Sequence, residues 1–175
     1  MKNMKRIVTY SSAYGSAAKY AELLSGKLSL PVSEISQCSI SDYDQAIHFG
    51  SIYAGAILGL EQALRSSPSL ILVTVGIADP SIKENAEHID QRVLKDAGDQ
   101  KGKIVRIFHL RGNLDYSRLS FRHRAMMWML CRMLRRKKNK TLEDQYVIDT
   151  YGKRIDFFSE DSLNKIAEYI MESLM

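Results

Sequence analysis

The chain is 175 residues long, 45% hydrophobic and 26% charged, close to the averages of soluble globular domains, which excludes disordered and fibrous classes and makes one domain over 1–175 the expectation. Its two cysteines, Cys38 and Cys131, stand far apart with no CxxC or Cys/His spacing, so neither a disulfide framework nor a zinc site is suggested. The net charge of +5 is concentrated: Tyr116 to Lys140 holds nine basic residues (Arg118, Arg122, Arg124, Arg132, Arg135, Arg136, Lys137, Lys138, Lys140) and no acidic one, so a negatively charged partner is expected to meet the protein there.

The N-terminus runs straight into a short apolar strand with no cleavage-site pattern, and no stretch approaches the roughly 20 apolar residues of a membrane span. The expectation is a cytoplasmic protein, at most peripheral at the inner face of a membrane. Ile7-Val8-Thr9-Tyr10 reads as the first strand, and Ala17, Tyr20, Ala21, Leu24 and Leu28 carry the first helix. Pro31 to Ile35 is a short second strand. Ala46-Ile47-His48-Phe49 is the third, closed by Gly50-Ser51, with helical character from Ile57 to Leu64. The unbroken apolar run Leu70 to Val75 has the composition of a central parallel strand, buried on both faces.

Ile82, Ala86, Ile89 and Val93 mark the next helix, and Lys103 to Phe108 the fifth strand. Tyr146-Val147-Ile148-Asp149 reads as a short strand or the continuation of an interrupted one. The last helix is placed by Leu163, Ile166, Ala167, Ile170 and Leu174, with Ser159 or Asp161 as its cap. Strands alternating with helices predict an α/β fold, a doubly wound sheet of five parallel strands with helices on both faces.

In such a sheet, ligands bind outside the carboxyl ends of the strands. The first of these turns, Ser11-Ser12-Ala13-Tyr14-Gly15-Ser16-Ala17, offers hydroxyls and a glycine at a helix start, a combination suited to a phosphate. It contains no cation, so it is not the Gly-Lys-Ser/Thr loop of a triphosphate site, and it lacks the three-glycine dinucleotide fingerprint. A terminal monophosphate fits. The plainer reading, that Ser11, Ser12 and Ser16 simply cap the helix, stays open beside it. Two further strand ends carry glycine-bearing turns, Gly50-Ser51-Ile52-Tyr53-Ala54-Gly55 and Val75-Gly76-Ile77-Ala78-Asp79-Pro80.

The first turn resembles the flavodoxin signature of hydroxyl residue, glycine, threonine and alanine, here Ser12, Gly15, Ala17 and Ala21. The departure is Ala17, where the family's threonine would give a hydroxyl to the FMN phosphate. A lost hydrogen bond of this kind costs on the order of 1 kcal/mol. The resemblance implies a flavodoxin-like fold, FMN as cofactor, electron transfer as the activity, and an isoalloxazine flanked by the other two turns with Tyr53 as the stacking residue. Longer stretches, Tyr43-Asp44-Gln45-Ala46-Ile47 into Gly50-Ser51-Ile52-Tyr53, and Leu110-Arg111-Gly112 through Tyr116 into the basic helix, resemble the flavodoxin-type protoporphyrinogen oxidases. That likeness implies a porphyrinogen or quinone as partner. Separately, the basic segment follows the fifth strand and so begins at the same strand ends as the three turns, which would set Arg111 and Tyr116 at the border of the pocket.

The methionines, Trp128 and cations of 116–140 read either as core packing with a solvated basic end or as an adaptable surface for a membrane or a hydrophobic anionic substrate. Nucleic acid is the weaker reading, since no recognised motif accompanies the charges. A flavodoxin-like binding or regulatory module without flavin is the alternative that Ala17 favours. A phosphoacceptor response regulator would need acids where Ser11-Ser12 and Gly50-Ser51 stand. His48 and His109 are treated as packing or rim residues.

Overall fold

The computed structural model describes residues 4–53, 55–140 and 142–173. In chain order the elements are β1 (Arg6–Ser11), α1 (Ser16–Leu28), β2 (Val32–Glu34), β3 (Gln45–Tyr53), β4 (Ala56–Ile57), α2 (Leu60–Ser66), β5 (Leu70–Gly76), α3 (Lys83–Ala97), β6 (Ile104–Arg111), β7 (Asn113–Asp115), α4 (Phe121–Arg136), α5 (Leu142–Thr150), β8 (Arg154–Asp156) and α6 (Asn164–Glu172). Chain contacts group these into two compact units, one of Met1–Gly112 with Phe158–Met175 and one of Asn113–Phe157.

The first unit holds five parallel strands in the order β2-β1-β3-β5-β6. Counted along these strands this is the order of flavodoxin-type sheets. Successive side chains of a strand point to opposite faces, and the core divides accordingly. Val8, Ile47, Phe49, Ile71, Val73, Val75 and Leu110 pack with Ala17, Tyr20, Ala21 and Leu24 of α1 and Ile166, Ala167 and Ile170 of α6. Ile7, Ala46, Leu70 and Leu72 pack on the other face with Leu60, Ala63 and Leu64 of α2 and Val93 and Ala97 of α3. The near-continuous apolar run of β5 is explained by this: both of its faces are covered.

Several sequence expectations change. The third strand does not end at Gly50-Ser51. It continues to Tyr53 and turns back as β4, pairing Ile52 with Ile57 and Tyr53 with Ala56. Ile57 therefore lies in a strand, and the helix starts three residues later at Leu60. β-branched Ile52 and Ile57 directly opposite one another favour that pairing over a loose turn.

The second unit contains the short antiparallel pair β7–β8, which joins Leu114 to Ile155 and went unread in the sequence. It also contains α4 and α5. The Tyr146–Asp149 stretch is helical, not a strand. Two β-branched residues are too few to outweigh helix-forming neighbours, and Gln145 Nε2 donates to Asp149 Oδ1 one turn on at 2.8 Å. At the C-terminal end of the first unit, a 3-10 turn (Glu160–Leu163) that includes Asp161 leads into α6; Ser159 makes no side-chain cap on that turn, and the N-cap of α6 is Leu163, in place of Ser159 or Asp161. Leu163, Ile166, Ala167 and Ile170 are buried as their spacing requires, while Leu174 lies outside the described residues.

Candidate functional site

The carboxyl ends of the parallel strands are held in register across the sheet: Ser11 opposite Gly50, Gly50 opposite Thr74, Ser51 opposite Val75, and Gly76 opposite Arg111. This alignment brings the three glycine-bearing segments read from the sequence to one edge. The β1–α1 turn is closed by Gly15, whose φ of 91° is a left-handed conformation that a side chain would strain. A Cβ at Gly15 would meet nothing within 4 Å, so the turn opens outward. Gly15 is the N-cap of α1, and no side chain caps the helix. The serines do not act as N-cap, because Ser12 Oγ accepts instead from Gly15 N–H at 2.9 Å. That leaves the Ser12 hydroxyl hydrogen for another acceptor. The first intrahelical bond runs from Lys19 N–H to the Gly15 carbonyl, and the N–H groups of the first turn point out of the helix end, as in any helix.

The second segment is tied to the first. Ala13 N–H donates to Ser51 Oγ at 3.2 Å, and the rings of Tyr14 and Tyr53 meet edge to face, centroids 6.1 Å apart. Burial, and next the neighbouring Tyr53, push the Tyr14 phenol above its ordinary pKa, so it stays a neutral hydroxyl. Tyr53 and Ile52 sit in β3 rather than in a loop. Ile52 lies against Gly76, where a Cβ would approach its Cδ1 to 3.1 Å. Gly55 is exposed in the turn that follows, and Ala54 lies outside the described residues.

The third segment begins at Val75 and Gly76. Val75 is a core residue, while the Gly76 carbonyl accepts from Gly112 N–H at 2.7 Å. Gly112 had no assigned role in the sequence, yet it sets how closely β6 approaches α1: a Cβ there would lie 3.0 Å from Ser16 Oγ and from Val75 Cγ1. Arg111 turns its guanidinium onto the loop after β5. Its Nε donates to the Ile77 carbonyl at 3.1 Å and its Nη1 lies 3.3 Å from Asp79 Oδ2. The Ser81 hydroxyl and backbone N–H, with Arg111 contributing less, hold the Asp79 carboxyl below its ordinary pKa. The Arg111 carbonyl in turn accepts from the buried Tyr20 hydroxyl at 2.8 Å.

Two of the sequence candidates are placed away from the mouth. Ser16 is nearly buried, and the Ala17 side chain has no exposed surface and belongs to the core cluster beneath the sheet. Behind the strand ends, His48 is wholly buried between Thr9 Oγ1 and the Leu58 carbonyl. His109 bridges Thr74 Oγ1 and Asp90 Oδ1 at 2.7 and 3.0 Å. Both are structural ties between the sheet and its α2–α3 side. Thr9 and His48 occupy one register row, as do Thr74 and His109, a relation that no local window of sequence displays.

A sequence-family model described as Flavodoxin domain matches residues 7–141. The chain belongs to the flavodoxin domain family. No curated protein matches its sequence. Solved structures similar to this flavodoxin-family chain include a flavoprotein in complex with FMN from Lactobacillus acidophilus NCFM, 11% identical over 61% of this chain and 93% of that one, TM-score 0.43. A flavodoxin from the domain Archaea is 13% identical over 62% and 83%, TM-score 0.40. Oxidised flavodoxin 2 from Bacillus cereus is 14% identical over 61% and 84%, TM-score 0.41. Among the described residues no helix is long and apolar enough to cross a membrane.

Proposed function

We propose that this flavodoxin-family protein binds FMN at the carboxyl ends of β1, β3 and β5 and serves as an oxidoreductase or electron-transfer protein. The observation that carries this reading is the cation-free β1–α1 turn. There Gly15 opens outward, the Ser12 hydroxyl keeps a hydrogen to donate, and the N-terminus of a 13-residue helix stands behind it. A phosphate monoester dianion is stabilised by such helix-end dipoles and hydroxyls without a bound metal or a lysine. The residues present fit the group: Ser12 and the backbone from Ser11 to Ala17 would hold the phosphate, while the Ser11 hydroxyl itself faces Gly59 and His48, and Tyr53 with Tyr14 would border the flavin ring beside Ser51, Ile52 and Gly76. FMN, when bound, supplies the redox chemistry itself, so no side-chain acid or base is required of the chain. Its own residues orient the ring, keep Tyr14 neutral, and brace the 76–79 loop through Arg111.

The finer reading is a protoporphyrinogen-oxidase-like activity, the oxidation of a porphyrinogen with a quinone as acceptor. It is supported by the Tyr43–Tyr53 and Leu110–Tyr116 stretches. The competing reading, a binding or regulatory module without flavin, is favoured by one observation: Ala17 presents no hydroxyl to the turn and is fully buried.

Titrating FMN and following quenching of its fluorescence separates the two. Saturable quenching at micromolar concentration with one FMN per chain is expected. Tyr53→Ala should weaken binding about fivefold, the equivalent of roughly 1 kcal/mol of aromatic contact. No quenching well above micromolar would leave the binding-module reading standing.

A further inference from the structure

We propose that α4 docks the protein on an anionic phospholipid surface, lying in the plane of the interface. Four large apolar side chains of this helix are open to solvent: Phe121 at 86%, Trp128 at 52%, Met129 at 62% and Met133 at 60%. Their separations of seven, eight and twelve residues place them on one side of an α-helix, with exposed Ala125 among them. The other side is occupied. Cys131 and Leu134 are buried, and the Cys131 thiol reaches the Val147 carbonyl of α5 at 3.8 Å. The exposed stripe is therefore additional to the packing face of the helix, and the plain reading of these methionines as core fits only its opposite side.

The cations in and beside the stripe decide the occupant, Arg132 and Arg136 falling between Trp128 and Met129 around the helix. Arg122, Arg124, Arg132, Arg135 and Arg136 are exposed, and Phe121–Arg136 contains no acidic residue. Asp144 of α5 is paired with Lys137, beyond the end of the helix. Toward the C-terminal half, Trp128, Cys131, Arg132, Arg135, Arg136 and Tyr151 line an open cleft of about 320 Å³. Arg132 lies over the Trp128 ring, 5.3 Å from its centroid. Three guanidiniums around one cleft suit a phosphate headgroup, to which each can present two parallel N–H donors. Indole and thioether side chains beside them suit the boundary between headgroups and acyl chains. An acidic protein surface would satisfy the charges but would leave Phe121, Met129 and Met133 in water. At 16 residues with five arginines the helix lies on a bilayer rather than crossing it.

Trp128 is the only tryptophan of the chain, so its emission reports the helix alone. The full-length protein is mixed with vesicles of phosphatidylcholine, with or without phosphatidylglycerol, and co-sedimentation is measured alongside Trp128 fluorescence. Binding to the anionic vesicles with a blue shift, quenching by bromine-labelled acyl chains, and weakening as salt rises are expected. Arg132→Gln, Arg135→Gln and Arg136→Gln together should lower partitioning on the order of a hundredfold, about fivefold for each basic group at an anionic surface. Met129→Ser with Met133→Ser should reduce both the blue shift and the bromine quenching. All five positions are exposed, and far-UV circular dichroism verifies that the variants fold. Absence of vesicle binding by the parent would overturn the proposal. So would binding without a blue shift, an unchanged triple variant, or binding of duplex DNA in place of vesicles. None of these readouts requires FMN, so failure here leaves the cofactor reading untouched.

Discussion

The His48 ring spans from β1 to the segment before α2: its Nε2 donates to the Leu58 carbonyl at 2.8 Å, and its Nδ1 lies 3.0 Å from Thr9 Oγ1. A carbonyl can only accept, so the proton sits on Nε2 and the Thr9 hydroxyl donates to Nδ1, the pattern of a neutral imidazole. The glycine beside it is needed for this fit. A Cβ at Gly59, where φ is 76°, would stand 2.7 Å from both the His48 ring and Ser11 Oγ.

Complete burial pushes the His48 pKa down to about 4, with the bond to Leu58 opposing the shift. The unfolded chain protonates this histidine near its ordinary pKa of about 6.5 and the folded chain does not. Its contribution is therefore present in full above that value and is lost as pH falls toward 4, by up to about 3 kcal/mol. Urea midpoints at pH 7.5 and pH 4.5 should show the loss, and His48→Gln should remove most of the difference between them. A parent protein equally stable at both pH values would show that the ring is not buried in neutral form.

Ala17 is where the family's threonine would stand, and its methyl packs among Val8, Tyr20, Ala21 and Leu24. Ala17→Thr places a hydroxyl and a methyl into a filled apolar site. The expected outcome is a loss of stability of about 1–3 kcal/mol, from overpacking and an added polar group. FMN affinity should stay within about twofold. A tenfold gain in affinity would instead mean that the hydroxyl reaches the phosphate, since one good hydrogen bond is about 1.4 kcal/mol.

Arg111 holds the loop after β5 by two contacts of unequal weight. The ion pair to Asp79 involves a well-exposed carboxylate, and such pairs contribute little. The Nε bond to the Ile77 carbonyl is the stronger brace, about 1 kcal/mol. Arg111→Gln should speed hydrogen exchange of the amides from Ile77 to Asp79 about fivefold, whereas Asp79→Asn should leave them nearly unchanged. If the two variants behaved alike, the ion pair would be the brace.

The sequence alone determined the features encoded within one short window. The apolar run Leu70 to Val75 announced a central strand because both its faces need burial. Gly15 after a hydroxyl-rich turn announced a helix start, and Leu163, Ile166, Ala167 and Ile170 placed the last helix by spacing alone. Alternation of such windows gave the α/β class, and the signature around Ser12, Gly15 and Ala21 gave the resemblance to flavodoxins. The tertiary structure decided what depends on partners distant in the chain. Ile52 extends β3 only because Ile57 returns to pair with it. Tyr146–Asp149 is helical because its flanking residues form a helix that packs with α4. Thr9 meets His48, and Arg111 meets Ile77, across strands separated by more than thirty residues. Ala17 looked like a position at the mouth of the turn, but the rotation of α1 on the sheet carries its methyl into the core. A one-dimensional pattern specifies which face of an element is apolar. Which neighbour covers that face, and which polar group is thereby aimed at another, follows only when all the elements are packed at once.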